Sequence, residues 1–422
     1  MTFLFIAVNL SVIFFLSRVE WRKSAGSDTV AYCTGLSLRL IGGIALGLVY
    51  RYYYHSSGDT FVFFNDAARL ADLFYSDPGA YLKFLITGTS PVQIVTTEGR
   101  SVFFVAIVSV VNLVTHNNYW LSSLWFSFFS FWCSYRLVAK LDSVFPSSRM
   151  ASRVALLFLP SAIFWNSGII KESVAFGAAA IIVIHFLTIM RGQKLALAGY
   201  LALAVNLYLL LSLKYYWGAV LIPCFLSGVI VYWRFKNNGS WTALGVWMAV
   251  FILLSFAASF AHPNFYVERF LAVIVENHDK FVDISSPENL IEYNDLKADW
   301  PSVIINSPWA LWSGLFRPTI FEARSLSSTA AGIENLFLLV LVVWKLKSIR
   351  MPRRENRLIV ISAIVYVVVL CAFLALSTPN LGTLSRYRVG FLSIFVLLIL
   401  NDHPVWSVLG SVNRTKSQWK IQ

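Results

Sequence analysis

The sequence predicts an all-α protein that crosses a membrane many times. Of its 422 residues, 58% are hydrophobic and only 13% are charged, whereas a soluble globular protein carries about a quarter charged residues. Long apolar runs recur from the first residues almost to the last. Helices of about 20 apolar residues satisfy their own backbone hydrogen bonds in lipid, so these runs favour transmembrane helices.

Apolar segments along the chain predict about 11 transmembrane helices in a single transmembrane domain, residues 1–422. A further apolar run, 101–115, is short for a crossing, so we expect a re-entrant helix or an amphipathic helix on the outer face. The predicted spans are 2–17, 32–50, 119–138, 153–168, 172–190, 195–213, 216–234, 241–261, 328–346, 357–377 and 388–400.

The distribution of basic residues predicts which loops face the cytoplasm. Cytoplasmic loops of membrane proteins are enriched in lysine and arginine, and six short segments hold 20 of the 34 such residues but only five acidic ones. The remaining loops hold 13 basic and 15 acidic residues. The net charge of +13 therefore indicates membrane orientation, and nucleic acid is not expected as a partner. The six segments are 18–31, 136–153, 191–194, 234–240, 345–357 and 401–422.

The first outer loop, residues 51–118, contains two candidate catalytic carboxylates. A turn precedes Asp59, and an amphipathic helix is expected from Thr60 onward. The residues expected on its apolar face are Phe61, Phe64, Ala68, Leu70 and Leu73. Asp59 either caps this helix and does nothing else, or acts as a general base at the membrane surface. Asp66 is the alternative base, two turns further along.

A Lys–Glu pair, Lys171 and Glu172, follows a Ser-Gly break between two apolar runs. Charges beside the bilayer are costly to bury without partners, so such a pair is a candidate functional site. The alternative is a simple helix start, in which Glu172 favours the positive end of the helix. Both interpretations stay open at this point.

Arginines supply the candidate anion-binding groups. The second large outer segment, 262–327, contains Arg317 close to an acidic residue and several aromatic side chains, which fits either an interfacial anion site or an aromatic belt. Arg386 and Arg388 lie just before the last span, and a guanidinium fork suits a phosphate group. Arg39 lies inside a span and has to find a partner or reach the surface.

Other chemistry has little support in the sequence. The four cysteines are far apart and lie in apolar runs, and the histidines form no metal-binding spacing. No Gly-rich nucleotide-binding motif occurs. The sequence therefore assigns neither a metal site nor a cofactor. A divalent cation bound by the outer carboxylates stays an option.

These residues resemble, in order, those of GT-C-type integral-membrane glycosyltransferases. The shared features are Asp59 at the start of the first large outer loop, the amphipathic stretch after it, a span containing Pro160 with Glu172 shortly beyond, and Arg386-Tyr387 opening a late helix. The chain differs from the family in lacking an acidic doublet at Asp59 and in having an additional first span.

The resemblance implies a GT-C-like fold in a bacterial inner membrane. It implies an inverting transferase that uses a polyprenyl-phosphate-linked sugar, with a glycan, lipid or protein as the acceptor at the outer face. Asp59 is then the catalytic base, and Glu172 the second acidic residue of the site. The donor phosphate is expected to contact cations from several loops: Arg386, Arg388, Arg317 and Lys171.

Two other functions remain as alternatives. A polysaccharide polymerase or ligase of the O-antigen kind also takes lipid-linked sugars, and differs in building long chains or in its acceptor. A carrier or flippase for lipid-linked saccharides is expected to have midplane charges and broken helices in paired halves.

Overall fold

The computed structural model describes residues 2–23, 28–55, 58–235, 239–260, 262–349 and 351–407. Residues 408–422, which include the predicted basic tail, lie outside this part. Within it the regular elements are helices, and the one strand-like pairing is an isolated bridge between Leu290 and Asn380. The chain is a helical, multi-pass membrane protein, as the sequence predicts.

The helices follow one another in this order: α1 Thr2–Lys23, α2 Thr29–Tyr52, α3 Asp59–Ser76, α4 Pro78–Thr87, α5 Gly99–Thr115, α6 Tyr119–Val144, α7 Arg149–Arg153, α8 Pro160–Trp165, α9 Lys171–Met190, α10 Leu197–Phe235, α11 Trp241–Ala258, α12 Val267–Ile284, α13 Trp300–Phe316, α14 Leu326–Leu346, α15 Arg357–Ser377, α16 Leu381–Tyr387 and α17 Val389–Leu400. A π-helical turn, Val154–Phe158, follows α7. Short 3-10 turns lie at Pro146–Ser148, Pro263–Phe265, Pro287–Asn289, Ile320–Glu322 and Arg354–Asn356.

Seven helices of the described residues are long and apolar enough to cross a membrane. Two bent pairs raise the count to nine if each is one span: α5 with α6, bent by 115°, and α16 with α17, bent by 68°. The sharp bend after α5 is compatible with the predicted re-entrant or surface position of 101–115. The count of about 11 spans stays a prediction.

The chain divides into two compact units. Unit 1 contains Met1–Lys140 and Leu156–Ala219, and unit 2 contains Leu141–Ala155 and Val220–Gln422. In unit 1, α2 packs closely on α6 because Gly43 has no side chain: a Cβ there would lie 2.1 Å from Ser127 Oγ. Small residues allow this close approach of membrane helices.

The predicted amphipathic helix after Asp59 is present as α3, but two details differ. Its N-cap is Gly58, and Asp59 is its first residue. Its buried face also differs in part: Leu70 is buried as expected, but so are Asp66 and Phe63, whose ring packs on Phe104 of α5. The other residues expected on the apolar face are only partly buried: Phe61, Phe64, Ala68 and Leu73.

The span predicted at 153–168 is wrong as a continuous helix. Helical structure passes into a π turn at Val154, and Leu159 is extended with φ −70° and ψ 117° before α8 begins. A left-handed turn at Gly168, with φ +73°, then leads to α9. Pro160 causes the break, because proline has no N–H and clashes with the preceding turn.

Arg39 satisfies the backbone that this break exposes. Pro160 cannot donate to the carbonyl of Leu156, four residues earlier, and Arg39 Nη2 donates to that oxygen at 2.8 Å. Arg39 Nη1 donates to the carbonyl oxygen of Ala162 at 3.0 Å. The side chain is only 1% exposed, so it has found partners inside the protein. A guanidinium thus replaces the donor that proline removes.

In unit 2, α15 lies at the centre and packs against α11, α12, α13, α16 and α17. Helix α13 was not predicted, because residues 262–327 were interpreted as an outer segment. Its Gly314 approaches α15 so closely that a Cβ would lie 2.5 Å from Cys371 Sγ. Helix α12 is amphipathic and buries Leu271 and Ile274.

Replacing Arg39 by methionine is expected to lower the melting temperature of the purified protein in detergent. The variant leaves the buried carbonyl oxygen of Leu156 without the Arg39 donor, at about 1–3 kcal/mol, while that of Ala162 keeps its hydrogen bond from Asn166 N–H at 3.2 Å. Arg51→Met is the control, because Arg51 lies at the exposed end of the same helix. Equal melting temperatures for both variants would contradict the structural role of Arg39.

Candidate functional site

A buried ion pair fixes the start of α9. Glu172, the second residue of this helix, is fully buried and accepts a hydrogen bond from Lys214 Nζ at 2.7 Å. Lys214 lies within α10 but has non-helical dihedral angles, φ −141° and ψ 63°, which bend the helix there. The two predicted spans 195–213 and 216–234 are therefore the two halves of a bent helix.

Lys171 connects α9 to the start of α5. Its Nζ donates to Ser101 Oγ at 2.9 Å and lies 3.7 Å from Glu98 Oε2. Ser101 in turn donates to Glu98 Oε2 at 2.9 Å, and Arg100 binds the other carboxylate oxygen. Three groups from two helices therefore converge on one carboxylate. We call Glu98, Arg100, Ser101, Lys171, Glu172 and Lys214 the Lys171 cluster.

Aromatic rings lie beside each cation of the Lys171 cluster. The ring centroid of Phe63 is 5.4 Å from Lys171 Nζ, that of Tyr215 is 5.2 Å from Arg100 Cζ, and that of Tyr216 is 5.6 Å from Lys214 Nζ. Ring faces attract cations at these distances. They hold the cations in place without neutralising them.

The Lys171 cluster carries three cations and two carboxylates, so its formal charge is one positive. Exposure increases from Glu172 at 0% and Lys171 at 13% to Arg100 at 36% and Glu98 at 49%. Burial of Glu98 opposes its ionisation, but the hydrogen bond and charge of Arg100, with the charge of Lys171, prevail and lower its pKa. Glu98 is therefore held in its ionised form, at the end of the cluster that opens to the surface.

Asp59 lies beside the segment that leads to Lys171. Gly58 fits against Tyr50, since a Cβ there would lie 2.2 Å from that ring. Tyr50 packs in one cluster with Ile170, the residue before Lys171, and Phe61 packs against the same cluster. Asp59 itself is exposed.

Asp66 occupies a different environment from the one expected of a base. It is 1% exposed, and its two oxygens accept hydrogen bonds from the backbone N–H groups of Val95, at 3.0 Å, and Thr96, at 2.8 Å. Arg69 Nη1 lies 3.7 Å away. These contacts favour a structural role for Asp66 in anchoring the loop 88–98 to α3; its catalytic role stays a prediction.

In unit 2, Arg317 is bound by a neighbouring carboxylate. Its Nε donates to Glu322 Oε1 at 2.6 Å, and its Nη2 contacts the same oxygen. The other oxygen of Glu322 accepts from Thr319 N–H at 2.7 Å. Burial opposes ionisation of Glu322, but the hydrogen bonds from Arg317 and Thr319 outweigh it and lower its pKa. Arg317 is thus paired within the protein.

Arg388 is also committed to internal contacts. It is fully buried, and its Nη1 donates to Asn335 Oδ1 at 2.6 Å while its Nη2 lies 3.5 Å from Glu334 Oε1. Asn335 donates onward to the carbonyl oxygen of Pro318 at 2.8 Å. Arg386 is 8% exposed. Among the predicted phosphate contacts, the environment of Arg388 therefore favours a structural role. Lys171 instead lies beside an exposed carboxylate, that of Glu98.

Several residues of the Lys171 cluster were missed by the sequence analysis. Lys214 is 42 residues from its partner Glu172, and nothing in the spacing joins them. It was nevertheless a lone cation between two apolar runs, and such a charge is expected to have a partner. Glu98 and Arg100 immediately precede the apolar run 101–115, which begins with Ser101, and all three are typical of a helix start. This concealed the network that they form with Lys171.

The described residues include no group of three His, Cys, Asp or Glu side chains close enough to hold a metal ion. No protein-family model matches the chain, and neither does a curated protein or a solved structure. The function therefore has to be inferred from the chemistry of the side chains. Asp59, Asp66, Lys171 and Glu172 belong to unit 1, and the three predicted arginines belong to unit 2.

Breaking the buried pair is expected to destabilise the protein strongly. Glu172→Gln or Lys214→Met alone leaves a buried charge without its partner, which costs about 3–5 kcal/mol. The double variant removes both charges and is expected to recover part of the loss. Melting temperatures of the four proteins give the coupling energy, and additive losses would contradict the pair.

The pair of Arg317 and Glu322 predicts a pH-dependent contribution to stability. Glu322 has a lowered pKa in the folded protein, so its contribution is present above the unfolded value of about 4.3 and is lost as the pH falls through the folded value. Compared with Glu322→Gln, the wild type should have a higher free energy of unfolding at pH 7, by roughly 1–3 kcal/mol, measured as a higher melting temperature. This difference should shrink as the pH falls below the unfolded value and through the lower folded value. A difference independent of pH would contradict the ion pair.

Proposed function

We propose that this protein is an inverting membrane glycosyltransferase. It moves a sugar from a polyprenyl-phosphate donor to an acceptor hydroxyl at the outer face of a bacterial inner membrane. The acceptor is a glycan, a lipid or a protein. The observation that carries the proposal is that Asp59, the candidate base, lies on an element that adjoins Lys171, the candidate phosphate contact.

Contacts from both sides of Asp59 support this neighbourhood. Phe63, one helical turn after Asp59, places its ring against Lys171, and residues four apart lie on the same face of a helix. On the other side, Gly58 packs on Tyr50, which shares a cluster with Ile170. An exposed carboxylate and a nearly buried ammonium thus flank one surface of unit 1.

In the proposed reaction, Asp59 accepts the proton of the acceptor hydroxyl as its oxygen attacks the anomeric carbon. The bond between that carbon and the phosphate oxygen breaks, and polyprenyl phosphate leaves with the electron pair. Lys171 stabilises the negative charge that develops on the departing phosphate, which is commonly the larger catalytic contribution. Glu172 holds the start of α9 through Lys214, so its proposed role is to position Lys171.

One observation favours a carrier for lipid-linked saccharides as a second candidate. Carriers bind their substrates where helices are discontinuous, and this chain has a break at Pro160 and a bend at Lys214. A polymerase or ligase would use the same donor chemistry as the transferase. An assay in detergent solution distinguishes a carrier from a transferase. Transport needs two compartments separated by a membrane, whereas a transferase still forms its product in detergent.

Asp59→Asn is expected to lower the rate of sugar transfer by the purified protein in detergent by about 10²–10⁴-fold, because the variant cannot accept the proton. The substrates are a panel of radiolabelled polyprenyl-phosphate hexoses. The released polyprenyl phosphate is detected by mass spectrometry, and the labelled product by counting its radioactivity. Full activity of Asp59→Asn would remove Asp59 from the mechanism.

Asp77→Asn is the matched control for this experiment. Asp77 is exposed at the other end of α3, where its side chain accepts a hydrogen bond from Ala80 N–H as the N-cap of α4. Asparagine caps helices as well as aspartate does, so this variant loses the same charge and should keep full activity. Equal losses in both variants would indicate a general effect of charge. If the wild-type protein transports the donor across vesicle membranes but gives no product in detergent, this result favours the carrier function.

A further inference from the structure

The carboxylate of Glu98 lies where an external anion would bind. One oxygen is contacted by Arg100, and the other accepts from Ser101 Oγ at 2.9 Å and lies 3.7 Å from Lys171 Nζ. Two cations and a hydroxyl around a pair of oxygens form the donor set that proteins use for carboxylates and phosphates. The group that fills it belongs to the chain itself.

The helix ends around Glu98 favour the same charge. Arg100 and Ser101 are the second and third residues of α5, which has 17 residues, and Lys171 is the first residue of α9, which has 20. The N-terminus of a helix carries a partial positive charge and is a common site for phosphate. The donors are therefore held by two helices rather than by flexible surface side chains.

Glu98 can leave this position without disturbing the core. Its side chain is 49% exposed, whereas that of Lys171 is 13% exposed. The backbone just before it is held separately, since Asp66 binds the N–H groups of Val95 and Thr96. Rotation of the Glu98 side chain into solvent would uncover Lys171, Arg100 and Ser101 as a site with two positive charges.

We propose that Glu98 is the built-in occupant of an anion site formed by Lys171, Arg100 and Ser101, and that a phosphate-bearing ligand displaces it. The site rests on the contacts of Glu98, whereas the choice of a lipid phosphate as its ligand rests on the proposed function. Two positive charges match a phosphate monoester, which carries about 1.5–2 negative charges at pH 7. Glu98 then acts as a competitor that keeps the site ionised and closed when no ligand is present.

The test measures binding of phosphate probes to the full-length protein in detergent by calorimetry. Inorganic phosphate and hexyl phosphate are the two probes. Glu98→Gln keeps the size and hydrogen-bonding capacity of the side chain but removes its charge, so both probes should bind about tenfold more tightly than to the wild type. Adding Lys171→Met to Glu98→Gln should abolish this gain. Tighter binding of hexyl phosphate than of inorganic phosphate identifies a lipid-borne ligand, and equal binding identifies free phosphate.

Controls separate this site from general effects of charge. Glu288→Gln removes an exposed carboxylate from unit 2 and should leave the affinity of the wild type unchanged. Should Glu98→Gln fail to fold, Glu98→Asp shortens the side chain and is expected to give a smaller gain in the same direction. Affinity equal to that of the wild type in both Glu98 variants would overturn the proposal. A gain that persists without Lys171 would overturn it as well.

The binding test is independent of sugar transfer. A tighter phosphate affinity in Glu98→Gln, without any transfer by the wild type, supports the anion site and refutes the glycosyltransferase proposal. Transfer by the wild type with no change of affinity in Glu98→Gln refutes the anion site and leaves the glycosyltransferase proposal standing.

Discussion

The buried ion pair between Glu172 and Lys214 is the interaction on which the candidate site depends. A charged pair that is excluded from water has to keep close contact, because either partner alone would be a buried charge. Its 2.7 Å contact fixes the start of α9 against the bend of α10, and Lys171 is the next residue toward the amino terminus. The position of Lys171, and with it the network that includes Glu98, therefore follows from a pair that itself faces no solvent.

A second constraint shapes the region before α9. Backbone groups within a membrane have to be satisfied inside the protein, and the break at Pro160 leaves the carbonyl oxygen of Leu156 without the N–H that a regular helix would supply. Arg39 supplies this donor and also binds the carbonyl oxygen of Ala162. The break is thereby kept as a defined structure, and the turn at Gly168 that follows it leads directly into Lys171 and Glu172. In unit 1 the buried ion pair and the contacts of Arg39 thus fix the same short segment, which leads from the break at Pro160 to the start of α9.

The sequence predicted the all-α class, the long apolar helices and the amphipathic character of α3, because these depend on composition and local periodicity. It did not predict the break at 153–168, since the apolar run is continuous and only Pro160 marks it. Partners far apart in sequence, such as Lys214 for Glu172 or Asn335 for Arg388, were not predictable from spacing. Asp66 was predicted as the alternative base, which stays a prediction, and its contacts with the backbone of Val95 and Thr96 were not predictable from the sequence.

The long sequence separation between Arg39 and its acceptors has a consequence for biogenesis. Chains emerge from the ribosome amino terminus first, so the helix with Arg39 reaches the bilayer before the carbonyl oxygens of Leu156 and Ala162 have been synthesised, 117 and 123 residues later. A guanidinium in the middle of an inserted helix is costly without partners. We therefore expect Arg39 to stay in contact with water or an insertion factor, in or beside the translocon, until most of unit 1 has been made.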